Sequence, residues 1–199
     1  MSVNPAEILL SPYTLGDLKL KNRIVMAPLT RTRAENRGKV PHELMVEYYT
    51  QRAGAGLIIT EGTFVSEQGQ GWFGAPGVYT AEQPAGWARI TDSVHRAGGL
   101  IFVQLWHQGS VSHRSLYENG RAPLGPSAVN PEQLIHIEGG LVMSEIPQEM
   151  NLEDIRQAVT EVSACGTGRT RRRLRGRPDS GRLYTFCSGT VTGGRCDAE

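Results

Sequence analysis

Short runs of apolar residues alternate along the first half of the chain with segments whose apolar residues recur every three or four positions. Continuous runs rich in Ile, Val, Leu and Met are typical of strands that are buried on both faces. The sequence predicts three such buried strands, at Arg23 to Ala27, Leu57 to Thr60 and Leu100 to Leu105. Ahead of them, Gly16 and Asp17 lie between short apolar flanks, which indicates a small hairpin or an extended lead-in.

Two helices are predicted between these strands. The first opens near Pro41, which suits an initial helical turn, and closes before Gly54. Thr80 and Gln83 have the capping-box spacing that begins a second helix, which ends at Gly98. The apolar face of the first helix comprises Leu44, Met45, Tyr48 and Tyr49, and that of the second comprises Trp87, Ile90, Thr91, Val94 and Ala97.

The order strand, helix, strand, helix, strand predicts a parallel α/β sheet. A doubly wound sheet and a (β/α)₈ barrel both fit this order. In either fold the carboxyl ends of the strands meet at one edge, where ligands and catalytic groups collect.

Residues 106–150 show no helical pattern and carry several prolines, so they predict a long loop of the kind that covers a site. Within it, apolar segments flank Glu138 to Gly140 and predict a hairpin. Asn151 and Asp154 then predict a capped helix. Its predicted inner face comprises Leu152, Ile155, Ala158, Val159 and Val162.

The composition changes after Val162. Residues 1–162 carry 13 Lys and Arg against 17 Asp and Glu, whereas residues 163–199 carry 8 Arg, no Lys and 3 acidic residues. All three cysteines also follow Val162, and Gly166 and Gly168 predict an end to the helix. We therefore expect two regions: a domain over 1–162 and an irregular Arg/Gly-rich tail, either out of frame or disordered, over 163–199.

The cluster from Arg169 to Arg177 allows two interpretations. Clustered arginine suits phosphate contacts, which would make the tail a nucleic-acid-binding segment. Because the composition changes abruptly and in mid-helix, we favour a reading-frame shift or a misjoined gene, and nucleic acid is not an expected partner. The sequence shows no secretory signal and no membrane span, so the expected location is cytoplasmic.

Candidate chemistry lies at the ends of the three predicted strands. Thr30, which closes the segment Ala27, Pro28, Leu29, has a hydroxyl that can donate to a cofactor carbonyl. Gly62 allows the backbone to approach a flat ligand, and the Gln104 carboxamide can pair with a pyrimidine-like edge. Trp106 can wall a pocket.

Each of these residues also has an ordinary structural interpretation: a strand terminator for the Pro-Leu-Thr segment, a turn glycine for Gly62, and a capping amide for Gln104. The histidines are too isolated to predict a metal site. The motif Gly69 to Gly74 matches G-x-G-x-x-G, but no helix pattern follows it, so it does not predict a dinucleotide site.

Taken together, the three strand ends and their flanks resemble the Old Yellow Enzyme family. The resemblance runs nearly continuously from about Ser11 to Val162, and it is carried by LSPYTLGDLKLKNRIVMAPLTRTRAENRGKVP, LIITEGTFVSEQGQGWFGAPGVYT and FVQLWHQGSVSH. This family uses FMN to reduce activated alkenes or nitro compounds with NAD(P)H. The resemblance implies a fold of about three βα units from the N-terminal part of a (β/α)₈ TIM barrel.

The resemblance also implies roles for individual residues. Thr30 would be catalytic and would hydrogen-bond the flavin near N5, while Gly62 and Gln104 would contact its pyrimidine end. Trp72 and Trp106 would line the substrate pocket. The backbone of Ala27, Pro28, Leu29 and Thr30 would pack along the isoalloxazine ring.

The implied mechanism is ping-pong hydride transfer through flavin N5. The family's substrate-polarising His-Asn or His-His pair, its proton-donating Tyr and its phosphate site do not map onto this sequence. We therefore expect a truncated chain that binds FMN weakly and is weakly active or inactive, and a non-catalytic fragment or pseudogene product is the alternative.

Overall fold

The computed structural model describes residues 4–167 and 184–187. The strands are β1 (Tyr13–Leu15), β2 (Leu18–Leu20), β3 (Val25–Met26), β4 (Leu57–Phe64), β5 (Ile101–Trp106), β6 (Leu124–Gly125), β7 (Leu134–Ile137), β8 (Gly140–Met143), β9 (Gln148–Glu149) and β10 (Tyr184–Cys187). The helices are α1 (Pro5–Leu10), α2 (Glu43–Thr50), α3 (Gln83–Arg96) and α4 (Leu152–Thr167), with a 3₁₀ turn at Arg114–Leu116.

A parallel sheet in the order β10-β5-β4-β3 forms the centre of the described chain. Helices α2 and α3 each connect neighbouring strands of this sheet, as the α/β order predicts. The sheet is open within 4–167 and 184–187, so the described residues show mixed α/β structure and not a closed barrel. Both predicted hairpins are confirmed, since β1 pairs with β2 and β7 pairs with β8 in antiparallel register.

The core lies between the sheet and the helices α2 and α3. Its largest fully buried side chains include Tyr49 from α2 and Trp87 from α3, together with Ile58 from β4. The Trp87 indole N–H donates to the carbonyl of Gly77 at 3.1 Å, so even the polar atom of this side chain is satisfied. Most of each predicted helical face is buried or half-buried, whereas Leu44 is 51% exposed and Ala97 lies at the surface.

Element boundaries differ from the sequence predictions in three places. The helix predicted from Pro41 begins at Glu43, because the His42 side chain accepts from the Leu44 amide and caps it. Helix α3 begins at Gln83 with Glu82 as its N-cap, so the predicted capping box is only half present: Gln83 Oε1 accepts from the Thr80 backbone N–H at 3.0 Å, but no Thr80 side-chain hydrogen bond caps the helix. Strand β4 extends beyond Thr60 to Phe64.

The first predicted strand is shorter and more exposed than its apolar run indicates. Only Val25 and Met26 form β3, and Val25 is 47% exposed. The physical reason is position: β3 is the edge strand of the sheet, with β4 as its neighbour in the described part of the chain. An edge strand is covered less completely than a central one.

Helix α4 has the predicted cap but not the predicted buried face. Asn151 Oδ1 accepts from the amides of Glu153 and Asp154, as expected. However, Leu152, Ile155 and Val159 are exposed. Only the C-terminal end of the helix contacts the core, through Val162 and the buried Cys165.

The structure describes two segments after Val162. Helix α4 continues through Gly166 to Thr167, so this glycine does not end it. The four residues of β10 pair in parallel with β5. A run of four residues is too short to stand out in a sequence pattern. The arginine cluster from Arg169 to Arg177 lies outside the described residues.

Among the residues that the structure describes, no helix has both the length and the apolar character needed to cross a bilayer.

Candidate functional site

Gly62 and Gln104 are neighbours at the carboxyl ends of two parallel strands. They are register partners in the pairing of β4 with β5. Along β5, buried Ile101, Val103 and Leu105 alternate with half-buried residues, and Gln104 belongs to the half-buried set. The Gln104 side chain therefore lies on the sheet face opposite to the one covered by the helices, beside a residue that has no side chain.

Trp106 lies across Gly62. A Cβ atom at Gly62 would overlap the indole ring, so glycine is required here for packing alone. The same indole stacks on Phe64, with ring centroids 5.6 Å apart. The structure thus brings together Gly62, Gln104 and Trp106 at one end of the sheet.

The segment from Ala27 to Thr30 follows β3 and leads toward the same edge. Pro28 and Thr30 are half-buried, whereas Leu29 is exposed. The next residue, Arg31, donates its backbone N–H to Glu61 Oε2 at 3.1 Å. Because Glu61 directly precedes Gly62, this hydrogen bond ties the Thr30 segment to the end of β4.

Glu61 is the centre of a buried polar network. Its Oε1 accepts from the Tyr49 hydroxyl at 3.1 Å, and its backbone N–H donates to the same hydroxyl at 2.9 Å. Burial raises the pKa of the Glu61 carboxyl to about 7, while the hydrogen bonds from Arg31 and Tyr49 act in the opposite direction. Burial also raises the pKa of the Tyr49 hydroxyl well above its ordinary value.

A cavity of about 280 Å³ opens beside this network. Its lining includes Arg31, Arg33, Glu47, Tyr48 and Glu61. The guanidinium of Arg31 lies 5.1 Å from the centre of the Tyr48 ring. The cavity therefore combines two cationic side chains with two carboxylates at the edge of the sheet where β3 lies.

Trp72 is held by a different segment from Trp106. Its ring stacks on His136 of the β7–β8 hairpin, with centroids 5.4 Å apart and planes 10° apart. The Phe73 amide donates to the His136 carbonyl at 2.9 Å, which fixes the two segments together. The long loop thus packs on the glycine-rich stretch, and a role for Trp72 in a substrate pocket stays a prediction.

Sequence reasoning missed Glu61 and Tyr49. A signal was present, because Glu61 lies between the apolar runs 57–59 and 64–65, and a charged residue within a buried strand needs a partner. Nothing in the sequence identifies the partner, since Tyr49 lies 12 residues away on a helix.

The residues at this edge fit one end of a flat heterocycle. A carboxamide that offers both a donor and an acceptor lies beside a glycine on a half-buried sheet face. The open parallel sheet with polar groups at its carboxyl edge is the arrangement used by α/β enzymes that bind a cofactor at the strand ends.

Comparison with known proteins agrees with this class. The family model for the NADH:flavin oxidoreductase / NADH oxidase family matches residues 8–170. 12-Oxophytodienoate reductase 7 of Oryza sativa subsp. japonica is 46% identical over 171 residues, which cover 79% of this chain and 42% of the relative. Flavin oxidoreductase hxnT of Emericella nidulans is 37% identical over 168 residues, covering 82% of this chain and 43% of the relative.

Solved structures show the same likeness. Morphinone reductase superposes with a TM-score of 0.77 at 38% identity, over 83% of this chain and 45% of that one. The old yellow enzyme homologue from Zymomonas mobilis gives a TM-score of 0.77 at 40% identity, over the same shares.

The chain belongs to the NADH:flavin oxidoreductase / NADH oxidase family, that of the Old Yellow Enzymes. FMN is the cofactor of this family, and one solved neighbour is a morphinone reductase in complex with tetrahydroNAD. The chain spans about two fifths of the length of the curated relatives that it matches.

Proposed function

We propose that this chain forms the flavin-binding wall of an FMN-dependent NAD(P)H oxidoreductase that reduces activated alkenes or nitro compounds. The observation that supports this function best is the register of Gly62 with Gln104 at the carboxyl edge of the parallel sheet. The hydrogen bond from Arg31 to Glu61 adds the Thr30 segment to that edge. Family membership gives the cofactor and the hydride donor.

The proposed roles of the residues follow from their chemistry. When bound, FMN supplies an N5 atom that accepts hydride from NAD(P)H and passes hydride to a second substrate, which corresponds to ping-pong kinetics. The Gln104 carboxamide would donate to and accept from the pyrimidine edge, and the backbone of Gly62 would lie beside it. The Thr30 hydroxyl would donate near N5, and the backbone of Ala27, Pro28 and Leu29 would pack along the ring.

Two indole side chains are assigned to the substrate side of the site. Trp106 lies on the same sheet face as Gln104, and Trp72 is fixed by the hairpin through His136. A flat apolar wall suits the carbon skeleton of an electron-poor alkene. The polar group of that substrate would need hydrogen-bond donors from other residues. Trp72 and Trp106 are therefore proposed as substrate-binding residues and not as groups that take part in proton transfer.

We also propose that the 199-residue chain by itself binds FMN weakly and reduces substrates slowly or not at all. The described sheet is open, so it presents one wall to a flavin instead of enclosing it. Ligand sites that bind tightly bury most of the ligand surface. A non-catalytic fragment with residual flavin affinity is the corresponding alternative.

Flavin fluorescence titration tests the proposed function. We expect saturable, weak FMN binding by the chain, and a roughly 10-fold lower affinity for Gln104→Ala, because a pair of hydrogen bonds contributes on the order of 1–2 kcal/mol. Gln157→Ala, on the exposed face of α4, is the matched control and should bind as the unmodified chain does. Equal affinities for the two variants would contradict the assignment.

A further inference from the structure

The Glu61 carboxylate lies between the two segments that the proposed function places against the flavin. Glu61 is 1% exposed. Its two oxygens accept from different elements, Oε1 from the Tyr49 hydroxyl on α2 and Oε2 from the Arg31 backbone N–H after β3. Since Arg31 follows Thr30 and Glu61 precedes Gly62, one side chain joins both segments.

A bulge in β4 accompanies this arrangement. The pairing of β4 with β5 shifts register between Ile59 and Gly62. Inside the bulge, the Thr60 hydroxyl donates to the Glu61 backbone carbonyl at 2.9 Å and accepts from the Gln104 backbone N–H at 3.1 Å. A bulge changes the direction in which the side chains of a strand point. This bulge includes Glu61, whose carboxylate contacts the Thr30 segment.

The turn that follows Thr30 is strained and held from both sides. Thr32 has a φ of +52°, which is unfavourable for a β-branched residue. On one side, the Arg31 amide donates to Glu61. On the other, the Ala34 amide donates to the Gly74 carbonyl at 2.8 Å. A strained conformation of this kind persists only where the surrounding contacts impose it. The hydrogen bond to Glu61 is one of these contacts, so it helps to fix the position of the turn after Thr30.

We propose that Glu61 is a positioning residue for the flavin site: its carboxylate holds the Thr30 segment against the rim formed by Gly62 and Gln104. This inference rests on the proposed function. Glu61 itself does not face the rim, because it accepts from Arg31 and Tyr49 on the other side of the strand. Its effect on flavin contacts is therefore transmitted through the backbone of Arg31.

The proposal has a pH-dependent signature. The groups that face the Glu61 carboxylate are Tyr49 and, along the shared cavity, Arg31, Arg33, Glu47 and Tyr48. Burial raises the pKa of Glu61 to about 7, so its ionisation falls in an accessible range. An ionised carboxylate accepts a stronger hydrogen bond than a protonated one, so the Arg31 amide should report the change.

The first measurement is the ¹⁵N–¹H resonance of the Arg31 amide in the full chain, followed from pH 5 to pH 9. We expect a single transition near pH 7 with the proton resonance moving downfield at high pH. Glu61→Gln should abolish the transition. Glu47→Gln, an exposed carboxylate on the same cavity, should retain it. An Arg31 amide that does not titrate in the unmodified chain would overturn the proposal.

Tyr49→Phe is the second variant, for the case in which Glu61→Gln does not fold. It removes a hydrogen bond that favours the ionised carboxylate, so the Arg31 transition should move to higher pH. If Tyr49 had only a packing role, its replacement would leave the pH midpoint of the Arg31 transition unchanged. An unchanged midpoint in Tyr49→Phe would therefore also count against the proposal.

The second measurement is FMN affinity by fluorescence titration at pH 6 and pH 8. We expect Glu61→Gln to bind FMN several-fold more weakly than Glu47→Gln at pH 8 and to lose the pH dependence of the unmodified chain. Equal affinities would overturn the positioning role. A third outcome is that the Arg31 amide titrates as expected but neither the unmodified chain nor any variant binds FMN. In that case the proposed function fails, while the contact of Glu61 with the Thr30 segment is supported.

Discussion

The Tyr49 hydroxyl donates to Glu61 Oε1 at 3.1 Å and at the same time accepts from the Glu61 backbone N–H at 2.9 Å. The two hydrogen bonds form a closed ring between helix α2 and strand β4. Because Tyr49 is fully buried, no solvent can replace either contact. A carboxylate in the middle of an apolar core strand is tolerated here because each of its oxygens has a donor.

The first prediction concerns the pH dependence of stability. The pKa of Glu61 is about 7 in the folded chain against an ordinary value of 4.5, so the folded state binds the proton more tightly. The free energy of unfolding should therefore be highest below pH 4.5 and fall as pH rises through about 7. At 1.36 kcal/mol per pKa unit, the loss is about 3 kcal/mol.

Urea unfolding at pH 5 and pH 8 measures most of this loss, because only the smaller part of it occurs below pH 5. Glu61→Gln cannot ionise and should remove most of the difference between the two pH values, while Glu47→Gln should retain it. A Glu61→Gln variant whose stability depends on pH as steeply as that of Glu47→Gln would refute the assignment of the shifted group.

The second prediction concerns the contact between Gly62 and Trp106. Gly62→Ala places a Cβ atom in the indole ring, so the ring or the strand must move. We expect a cost of about 1–3 kcal/mol, as for other overpacked positions, together with a shifted Trp fluorescence maximum. Gly54→Ala is the control, since a Cβ there meets nothing within 4 Å. Equal stabilities for the two variants would show that Trp106 does not pack on Gly62.

Local patterns account for the parts of the fold that the sequence predicts well. The hairpin turn at Gly16 has a φ of +54°, and that at Gly139 a φ of +88°, both values that glycine adopts without strain. Strands β3, β4 and β5 follow from continuous apolar runs, and helices α2 and α3 follow from apolar periodicity. Gly62 and Gln104 could be placed at one edge because parallel strands share the direction of their carboxyl ends.

The parts that sequence reasoning missed depend on contacts distant in the chain. The predicted second strand ended at Thr60, whereas β4 continues through Glu61 because Tyr49 and Arg31 supply partners for its carboxylate that no local pattern reveals. The apolar residues of α4 predicted a buried face, yet burial requires an opposing surface. Within the described residues, that surface exists only beside Val162 and Cys165.

The third prediction tests the exposure of α4. Ile90 on α3 is fully buried, whereas Ile155 on α4 is 46% exposed. Ile90→Ala should cost about 2–5 kcal/mol in the free energy of unfolding, and Ile155→Ala should change it by less than about 1 kcal/mol. Chemical denaturation of both variants measures the difference. A comparable loss for Ile155→Ala would mean that the face predicted from the sequence is buried in solution.

The fourth prediction concerns the origin of the arginine-rich tail. The family match ends at residue 170, close to the end of α4 at Thr167 and later than the boundary expected at Val162. If a frame shift produced the tail, the coding DNA beyond this point, translated in one of its other two frames, should give a sequence that resembles further strands of the same family. Other frames without such a resemblance would favour a genuine tail.

The most direct test of the flavin site is a ¹⁵N–¹H correlation spectrum of the full chain during addition of FMN. We expect the backbone amides of Thr30, Gly62 and Gln104 to shift together along one saturation curve, while the amide of Gly16 in the β1–β2 turn does not move. Shifts confined to other parts of the chain, or the absence of any saturable shift at these three residues, would contradict it.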